Sequence, residues 1–592
     1  MQTVSNDYKE QMNRRVRNAS LMRVYLGVVN VQAADNATPI STDELHYSNV
    51  GGIATNQQVL ATYATFEHNR MVLDGSQILP PTPAEPTVYY QGYISESISG
   101  LDRRFVTPPI VRIDLAMPLG FIGLTFNFIT HCYCYPTEMD IVVYLGGSVV
   151  DTITIYPDNA QYTMEQPIPE CDRIDLIFRE TCFPYFRVRL EQIMFGVTKT
   201  FDANNLTTTS WERDVDLLSA KLPKEMFSFT ALDIDKDYNP ENAEGIWEYV
   251  EEGMPVLFEY GYTLDDGSVE WVLGGNYRTS GEITSISEGY ISKVTFNSTS
   301  ELTQLTGTAY KGVYRDVPIT LYQLAINVLD HAGIANYEVD EALQDIDVHL
   351  PMPAIPFKEA LQLIANAGRA VLYTDRTGKI IIRRIDGVLQ DFKLAHADIY
   401  KMPNIDKKPL LKSVETYYYG LQIDGSNVDL VSKTGLSYAT PTEIRLIYEE
   451  ATNLQVTTTG LTVHGTPELY ATNCIVVVSG TGTITIKGKR LNRSKIRVIH
   501  DVNNQGYVCP IENELLDNYD DAMAYAEWVA DILELRNHYT VDNRGYPELD
   551  VLDEVLVDTL FSEDLEARIF YNKIEYNGAI SGTTKYVSLG VE

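Results

Sequence analysis

Four carboxylates between residues 233 and 244 come nearest, by type and spacing, to a metal site. They are Asp233, Asp235, Asp237 and Glu244. These residues occupy the register in which oxygen ligands surround Ca²⁺ in an EF-hand loop. The sixth position of that loop requires glycine for a sharp bend, but here it is Tyr238, and Pro240 stands two positions later. The pattern therefore favours a solvated acidic loop and leaves these four residues as a weak candidate metal site.

Cysteines provide a second possible metal chemistry. Cys132 and Cys134 lie two positions apart, on the same side of a predicted strand, whereas His131 points to the other side. Cys171 and Cys182 follow at spacings that match no common zinc motif. We therefore expect buried thiols and no zinc. The chain has six cysteines in 592 residues, which indicates synthesis in a reducing cytosol and no disulfide scaffold.

Motifs of common enzymes are missing from the sequence. The run Gly480-Thr481-Gly482 follows a predicted strand, but the third glycine of a dinucleotide-binding loop is replaced by Thr485. The sequence contains no G-x-S-x-G elbow, no H-E-x-x-H pair and no Walker loop. We expect no cofactor and no enzyme activity. An acidic hydrolase stays open as an alternative, because nothing distinguishes any two of the 81 carboxylates from the others.

Overall charge limits the possible partners. The formal charge is -35, so a groove for sequence-specific nucleic-acid binding is not expected, since phosphate binding needs clustered lysine and arginine. The same charge would suit the wall of a channel through which DNA slides without adhering. No window of about 18 uncharged apolar residues occurs, so we expect no membrane span.

Periodicity predicts a multidomain, β-rich α+β protein. The chain is longer than the ~250–300 residues that one hydrophobic core serves, so four or five domains are expected. Short strands separated by turns fill residues 62–197 and indicate a β-sandwich of jelly-roll or discoidin type. Helical spacing begins at Leu321 and again at Phe357, and a third amphipathic helix includes Ala522. An Asp375-Arg376-Thr377-Gly378 turn joins two strands after the second helix.

The segment 221–277, which reads KLPKEMFSFTALDIDKDYNPENAEGIWEYVEEGMPVLFEYGYTLDDGSVEWVLGGNY, resembles the first domain of the tail-hub proteins of prophages of Gram-positive bacteria. Other segments resemble the opening strand and later parts of the same hubs; they are MNRRVRNASLMRVYLGVVN, ITLYQLAINVLDHAGI, FKEALQLIANAGRAVLYTDRTGKIIIRR, RGYPELDVLDEVLV and IEYNGAISGTTK. The likeness covers most of the chain. Residues 36–196 look like an insertion between the first and second hub strands, and they resemble a discoidin-like carbohydrate-binding module.

This resemblance implies a division into β-barrel-like hub domains, an inserted sandwich and smaller α/β domains. The predicted domains are a discontinuous barrel-like domain I (1–35 and 197–310), the inserted sandwich (36–196), α/β domain II (311–402), β-rich domain III (403–511) and α+β domain IV (512–592). The two flanks of the insertion are expected to pair with each other in one barrel.

The resemblance also implies a function. Hubs of this family are trimeric rings that adapt a sixfold tail tube to a threefold tip around the channel for DNA and the tape-measure protein. The expected partners are two further copies of the chain, the distal tail or tail-tube protein, the tape-measure protein and downstream tip or fibre proteins. The expected location is the virion tail, after synthesis in the cytoplasm of a host bacterium.

An alternative is a distal-tail or peripheral baseplate protein whose inserted sandwich binds carbohydrate of the host surface. Discoidin-like modules are also recruited as spacers, so a purely structural role of the insertion is the other possibility.

Overall fold

The fold is seen in a computed structural model. It describes residues 1–55, 59, 61–67, 70–71, 75, 77–85, 87, 89–128, 134–242, 245–288, 291–305, 309–312, 314–385 and 387–590. These residues form six α-helices and 38 strands. The helices are α1 Asn6–Asn13, α2 Val31–Asn36, α3 Glu301–Gln304, α4 Leu321–His331, α5 Phe357–Ala367 and α6 Tyr519–Glu534. The multidomain, strand-rich class predicted from the sequence is confirmed.

Twenty strands precede residue 300. They are β1 Ser20–Val29, β2 Ala37–Ser41, β3 Thr62–Tyr63, β4 Gln77–Ile78, β5 Tyr93–Ile94, β6 Ile110–Phe121, β7 Leu124–Asn127, β8 Pro136–Leu145, β9 Ser148–Ile155, β10 Gln161–Met164, β11 Ile168–Thr181, β12 Arg189–Leu190, β13 Gln192–Met194, β14 Gly196–Phe201, β15 Leu206–Asp214, β16 Lys224–Leu232, β17 Pro255–Thr263, β18 Val269–Thr279, β19 Thr284–Glu288 and β20 Ile291–Thr299.

The remaining strands follow α3. They are β21 Ala309–Tyr310, β22 Ile319–Thr320, β23 Tyr337–Val339, β24 Asp347–Val348, β25 Ile355–Pro356, β26 Val371–Thr374, β27 Ile380–Arg383, β28 Leu389–Leu394, β29 Asn404–Lys407, β30 Leu411–Ile423, β31 Val428–Ile447, β32 Ala451–Leu469, β33 Asn473–Asp501, β34 Tyr507–Pro510, β35 Asn537–Asn543, β36 Glu554–Val557, β37 Leu565–Tyr576 and β38 Ile580–Ser588.

One 14-stranded sheet organises the molecule. Its strand order is β14-β1-β17-β18-β20-β16-β15-β37-β38-β35-β29, with β19 beside β20, β36 beside β37 and β28 beside β36. The first seven strands of this order and β19 come from residues 20–29 and 196–299, whereas the other six come from residues 389–588. Strands from the two ends of the chain therefore form one continuous sheet, and their inward side chains form one hydrophobic core.

Residues 37–194 form a sandwich beside this sheet. A five-stranded sheet, β2-β6-β11-β8-β9, and a three-stranded sheet, β10-β7-β13, contribute to one core. Strands such as β8 alternate buried and partly exposed residues, as a sheet with one face on a core requires. The segment from Ala33 to Tyr47, which leads into the sandwich, contains part of α2 and all of β2.

Three helices build a second core. The helices predicted at Leu321, Phe357 and Ala522 are present as α4, α5 and α6. Thr320 caps α4 in a capping box with Gln323, which satisfies backbone donors at the helix start. All three helices pack together with parts of β30 and β33.

Each core in the C-terminal half of the chain is built from several segments that are distant in sequence. Helix α6 packs against β30 and β33 in the second core, whereas β35 to β38 belong to the 14-stranded sheet. Strand β28, predicted to lie within the 311–402 domain, pairs with β36. Helix α6 and β35 are close in sequence, but the apolar face of α6 packs on β30 and β33, whereas the edges of β35 pair with β29 and β38.

Candidate assembly site

A seam between β15 and β37 joins the two halves of the main sheet. The strands are antiparallel, and their register runs from Thr209 opposite Tyr576 to Asp214 opposite Tyr571. In the middle of the seam Trp211 lies opposite Ile574, and both side chains are fully buried. A seam made of backbone hydrogen bonds and a shared core leaves the two halves little freedom to rotate.

The strands on either side of the inserted sandwich pair with each other. Strand β1 forms an antiparallel ladder with β14, in which Val24 lies opposite Phe201 and Val29 lies opposite Gly196. On its other edge β1 pairs with β17. The chain thus leaves the main sheet after β1, builds the sandwich and returns to the strand position beside β1.

Next to the seam, charged side chains occupy the apolar face of the sheet. Arg213 on β15 lies directly opposite Glu225 on β16, and their side chains form an ion pair at 2.9 Å. Arg213 also forms an ion pair with Asp550 and donates a hydrogen bond to the carbonyl of Thr374. Arg213 is 2% exposed and Glu225 is 1% exposed, so water does not compensate these charges.

A second buried arginine comes from the turn between β26 and β27. Arg376 forms an ion pair with Asp550 at 3.1 Å and donates hydrogen bonds to the carbonyls of Leu273 and Leu549, at 2.8 and 2.6 Å. Its guanidinium lies 4.9 Å from the ring centre of Trp211, over the ring face. The turn was predicted as Asp375-Arg376-Thr377-Gly378, and Gly378 has the positive φ that this turn requires.

These residues form an ionic junction, defined as Arg213, Glu225, Arg376 and Asp550. It connects three parts of the chain: strands β15 and β16, the β26–β27 hairpin, and the segment before β36. Burial disfavours the charged form of Asp550, but Arg213 and Arg376 outweigh it and lower the pKa of Asp550. Two positive and two negative charges therefore neutralise each other in the interior.

Two side chains of the N-terminal segment, Tyr8 in α1 and Arg17 after it, bind residues of the same region. The Tyr8 hydroxyl donates to Glu548 at 3.1 Å, and the guanidinium of Arg17 donates to the carbonyls of Arg544 and Gly545. Burial raises the pKa of Glu548 to about 7, so this carboxyl exchanges its proton near neutral pH. The N-terminal helix is thereby fastened to the chain segment that leads into β36.

Sequence reasoning did not identify the ionic junction, although one signal was present. Arg213 alternates in phase with Trp211, and Glu225 alternates in phase with Phe227, so opposite charges stand on the apolar faces of two strands. Arg376 gave no such signal, because a turn residue is ordinarily solvated.

The candidate calcium loop is not assembled as a cation site in the part that the structure describes. Asp233 is buried, and its carboxylate accepts hydrogen bonds from the Tyr238 amide at 3.2 Å and the Ser292 hydroxyl at 3.3 Å. Asp235 is exposed, and Asp237 lies 3.9 Å from Lys199. Glu244 lies outside the described residues. Within the described ranges, no group of three or more His, Cys, Asp or Glu side chains could hold a metal ion.

The glycine run at 480–482 forms a corner of a sheet. Gly435 and Gly460 have positive φ, as does Gly480, and all three lie at one level of the neighbouring strands β31, β33 and β32, which belong to a five-stranded sheet with β30 and β34. A Cβ at Gly482 would lie 1.8 Å from the carbonyl oxygen of Thr459. Residues of β33 on both sides of this level share one small core, so the sheet folds back on itself at the glycines.

Three carboxyl groups, those of Asp375, Asp550 and Asp553, line a cavity of about 360 Å³ beside the ionic junction. The pKa of Asp550 is lowered, whereas burial raises that of Asp553, as an acid/base pair would require. However, Asp550 is held by two arginines, and Asp553 accepts a 2.7 Å hydrogen bond from the Asp550 amide. The two arginines account for the lowered pKa of Asp550 and burial accounts for the raised pKa of Asp553, and this arrangement favours a structural role.

Comparisons with known proteins gave no match to a protein-family profile or to a curated protein. Among solved structures, the prophage MuSo2 43 kDa tail protein from Shewanella oneidensis is 12% identical, with a TM-score of 0.40, over 66% of this chain and 95% of that one. A tail protein from Neisseria meningitidis MC58 is 10% identical, with a TM-score of 0.41, over 66% and 94%. Prophage tail protein gp18 from Listeria monocytogenes EGD-e is 9% identical, with a TM-score of 0.35, over 66% and 91%. The chain is thus similar over about two thirds of its length to three proteins described as tail proteins.

Proposed function

We propose that this chain is a structural subunit of a bacteriophage-type tail, the central hub of its tip or baseplate, and not an enzyme. The observation that carries the proposal is the seam of β15 and β37, which joins two strand-rich halves into one sheet. The sequence resemblance to prophage tail hubs supports the same role. Such a subunit would present two barrel-like surfaces in a fixed relation.

A fixed pair of surfaces addresses a problem of symmetry. Three copies in a ring would present six barrel-like units, which could contact a sixfold tail tube while the other side of the ring keeps threefold symmetry. This arrangement requires the two barrel-like units within one subunit to have the same relative orientation as two neighbouring units from different subunits. The ionic junction and the shared core support the proposal, because they restrict movement at the seam.

Charge is compatible with a channel at the centre of the ring. The chain carries 81 acidic and 46 basic residues, and a trimer would carry three times the resulting charge of -35. A negative lumen would repel the phosphates of DNA and allow it to slide. We propose that the ring surrounds the path of DNA and the tape-measure protein, and contacts the distal tail or tube protein above and tip or fibre proteins below.

Among the residues that the structure describes, no helix combines the length and the apolar composition of a membrane span.

Mass measurement and imaging of the purified full chain test the hub. Light scattering should give three times the subunit mass of 66.6 kDa, and cryo-electron microscopy should show a threefold ring with six similar inner lobes. In tail particles the chain should lie on the axis. Density for this chain only on radial arms would contradict the hub and favour a peripheral baseplate protein.

Exposed aromatic rings favour a second candidate, in which the inserted sandwich binds host carbohydrate. Phe66 is 96% exposed, Tyr156 is 65% exposed and Tyr185 is 52% exposed. Such rings can stack on the apolar faces of sugars. Binding of the full chain to a glycan array, and its loss in the Tyr156→Ala and Tyr185→Ala variants, would support this role. A blank array would leave the sandwich as a spacer that widens the ring.

A further inference from the structure

Two cysteines meet at one end of the five-stranded sheet of the inserted sandwich. Cys134 lies two residues before β8, and Cys182 follows β11 directly. These strands are antiparallel neighbours, with Pro136 opposite Thr181. The two sulfur atoms lie 3.1 Å apart. A disulfide bond is about 2.05 Å long, so the sulfurs need to approach by only about 1 Å.

Backbone contacts with Tyr135, the residue after Cys134, hold Cys182 at this position. The Cys182 amide donates to the Tyr135 carbonyl at 3.0 Å, and the Tyr135 amide donates to the Cys182 sulfur at 3.3 Å. These bonds continue the β8–β11 ladder beyond its last residue pair. The proximity of the thiols is therefore a property of the strand register, which the rest of the sheet maintains.

The surroundings favour reaction at Cys182. Cys134 is buried, whereas Cys182 is partly exposed. The hydrogen bond with Cys134, together with the positive charge of Arg70, lowers the pKa of Cys182, and burial raises the pKa of Cys171 elsewhere in the same sandwich. A thiolate is the nucleophile of thiol–disulfide exchange, so Cys182 is the thiol that attacks first.

We propose that Cys134 and Cys182 are a reversible redox site, which a small-molecule disulfide oxidises to an intramolecular cross-link. The Cys182 thiolate attacks one sulfur of the small disulfide, forms a mixed disulfide and releases one small thiolate. The Cys134 thiol then loses its proton and attacks the Cys182 sulfur, which forms the protein disulfide and releases the second small thiolate. Two protein thiols are oxidised, and one small disulfide is reduced to two thiols.

The cross-link would join the chain just before β8 to the chain just after β11. It would leave the main sheet unchanged. Its stabilising effect would be confined to the sandwich, because it restricts only the unfolded chain between residues 134 and 182. The inference rests on the geometry of the sandwich and holds whether or not the chain is a tail hub. A protein that leaves a reducing cytosol would meet conditions in which the cross-link persists.

Oxidation of the full chain by glutathione disulfide, followed by non-reducing peptide mapping, tests the proposal. We expect one peptide pair linked through Cys134 and Cys182, with four of the six cysteines still free. The unfolding transition of the sandwich should rise by about 10 °C and return to its initial value after dithiothreitol. The Cys134→Ser variant should accumulate a glutathione adduct on Cys182, because the second step is blocked. The Cys509→Ser variant is the control and should form the cross-link normally.

Three results would overturn the proposal. One is a folded wild-type protein that keeps all six thiols after treatment with glutathione disulfide. Another is linkage of Cys182 to a cysteine other than Cys134. The third is a stable glutathione adduct on Cys182 in the wild-type protein. Each readout applies to the wild-type chain, so a variant that does not fold leaves the test intact.

Discussion

Replacement of Arg213 by methionine should loosen the seam between the two halves of the main sheet. Methionine retains much of the side-chain volume but removes the charge that lies between Glu225 and Asp550. Asp550 keeps its ion pair with Arg376, whereas Glu225 keeps only the hydrogen bonds that Thr374 donates. The main cost of the substitution is therefore an uncompensated charge on Glu225.

The expected magnitude follows from this burial. Removal of one partner from a buried ion pair lowers the free energy of unfolding by about 3–5 kcal/mol. This range applies here because Glu225 is only 1% exposed. Amide hydrogens of β15 and β37 that exchange through opening of the seam should then exchange about 10²–10⁴-fold faster, because each 1.36 kcal/mol is a factor of ten. Hydrogen-exchange mass spectrometry of peptides from residues 206–214 and 565–576 measures this change.

Two further variants make the test specific. In the double variant Arg213→Met/Glu225→Gln both charges are absent, and about 2–3 kcal/mol of the loss should be recovered. Lys379→Met in the same hairpin as Arg376 removes a more exposed ion pair with Glu338 and should cost less than about 1 kcal/mol. Wild-type exchange rates in Arg213→Met, or equal effects of Arg213→Met and Lys379→Met, would refute the conclusion that the ionic junction restricts opening of the seam.

Three other predictions concern the protonation of Glu548, the binding of Ca²⁺ and the replacement of Gly482. Because the folded-state pKa of Glu548 is raised to about 7, the folded protein binds an extra proton between about pH 4 and 7, and stability should fall as the pH rises through that range. Glu548→Gln should remove this loss, which is about 3 kcal/mol, and raise the melting temperature at pH 8 more than at pH 5. Millimolar Ca²⁺ should leave the melting temperature unchanged, since Asp233 already accepts hydrogen bonds from the chain. Gly482→Ala should cost more than about 2 kcal/mol, because its Cβ would overlap the carbonyl of Thr459, whereas Gly425→Ala should be tolerated in open space.

Calorimetry measures all three, and each has a clear opposing result. Equal stabilisation by Glu548→Gln at both pH values would show that its proton is not coupled to folding. A calcium-dependent rise in melting temperature that is lost in Asp235→Asn would show that the acidic loop binds calcium. Similar stabilities of the Gly482→Ala and Gly425→Ala variants would contradict the folded-sheet corner.

Local patterns predicted the local elements well. The apolar spacing from Leu321 to Leu329 and the closing Gly333 predicted α4, because helix formation depends on residues three and four positions apart. The Asp375-Arg376-Thr377-Gly378 run predicted the turn between β26 and β27, where Gly378 has positive φ. Pairing of β1 with β14 was expected only through the resemblance to tail hubs, since no local signal connects residues 24 and 201.

The sequence alone determined that this chain is acidic, β-rich and divided among several cores, because composition and short-range periodicity are local properties. The tertiary structure decided that strands from residues 206–214 and 565–576 share a ladder, and that α6 and β35 belong to different cores. It also decided that Arg376, in a turn, becomes buried with Asp550, 174 residues away. A strand edge or a buried charge can be satisfied by any complementary partner, so the choice of partner depends on the whole packed molecule.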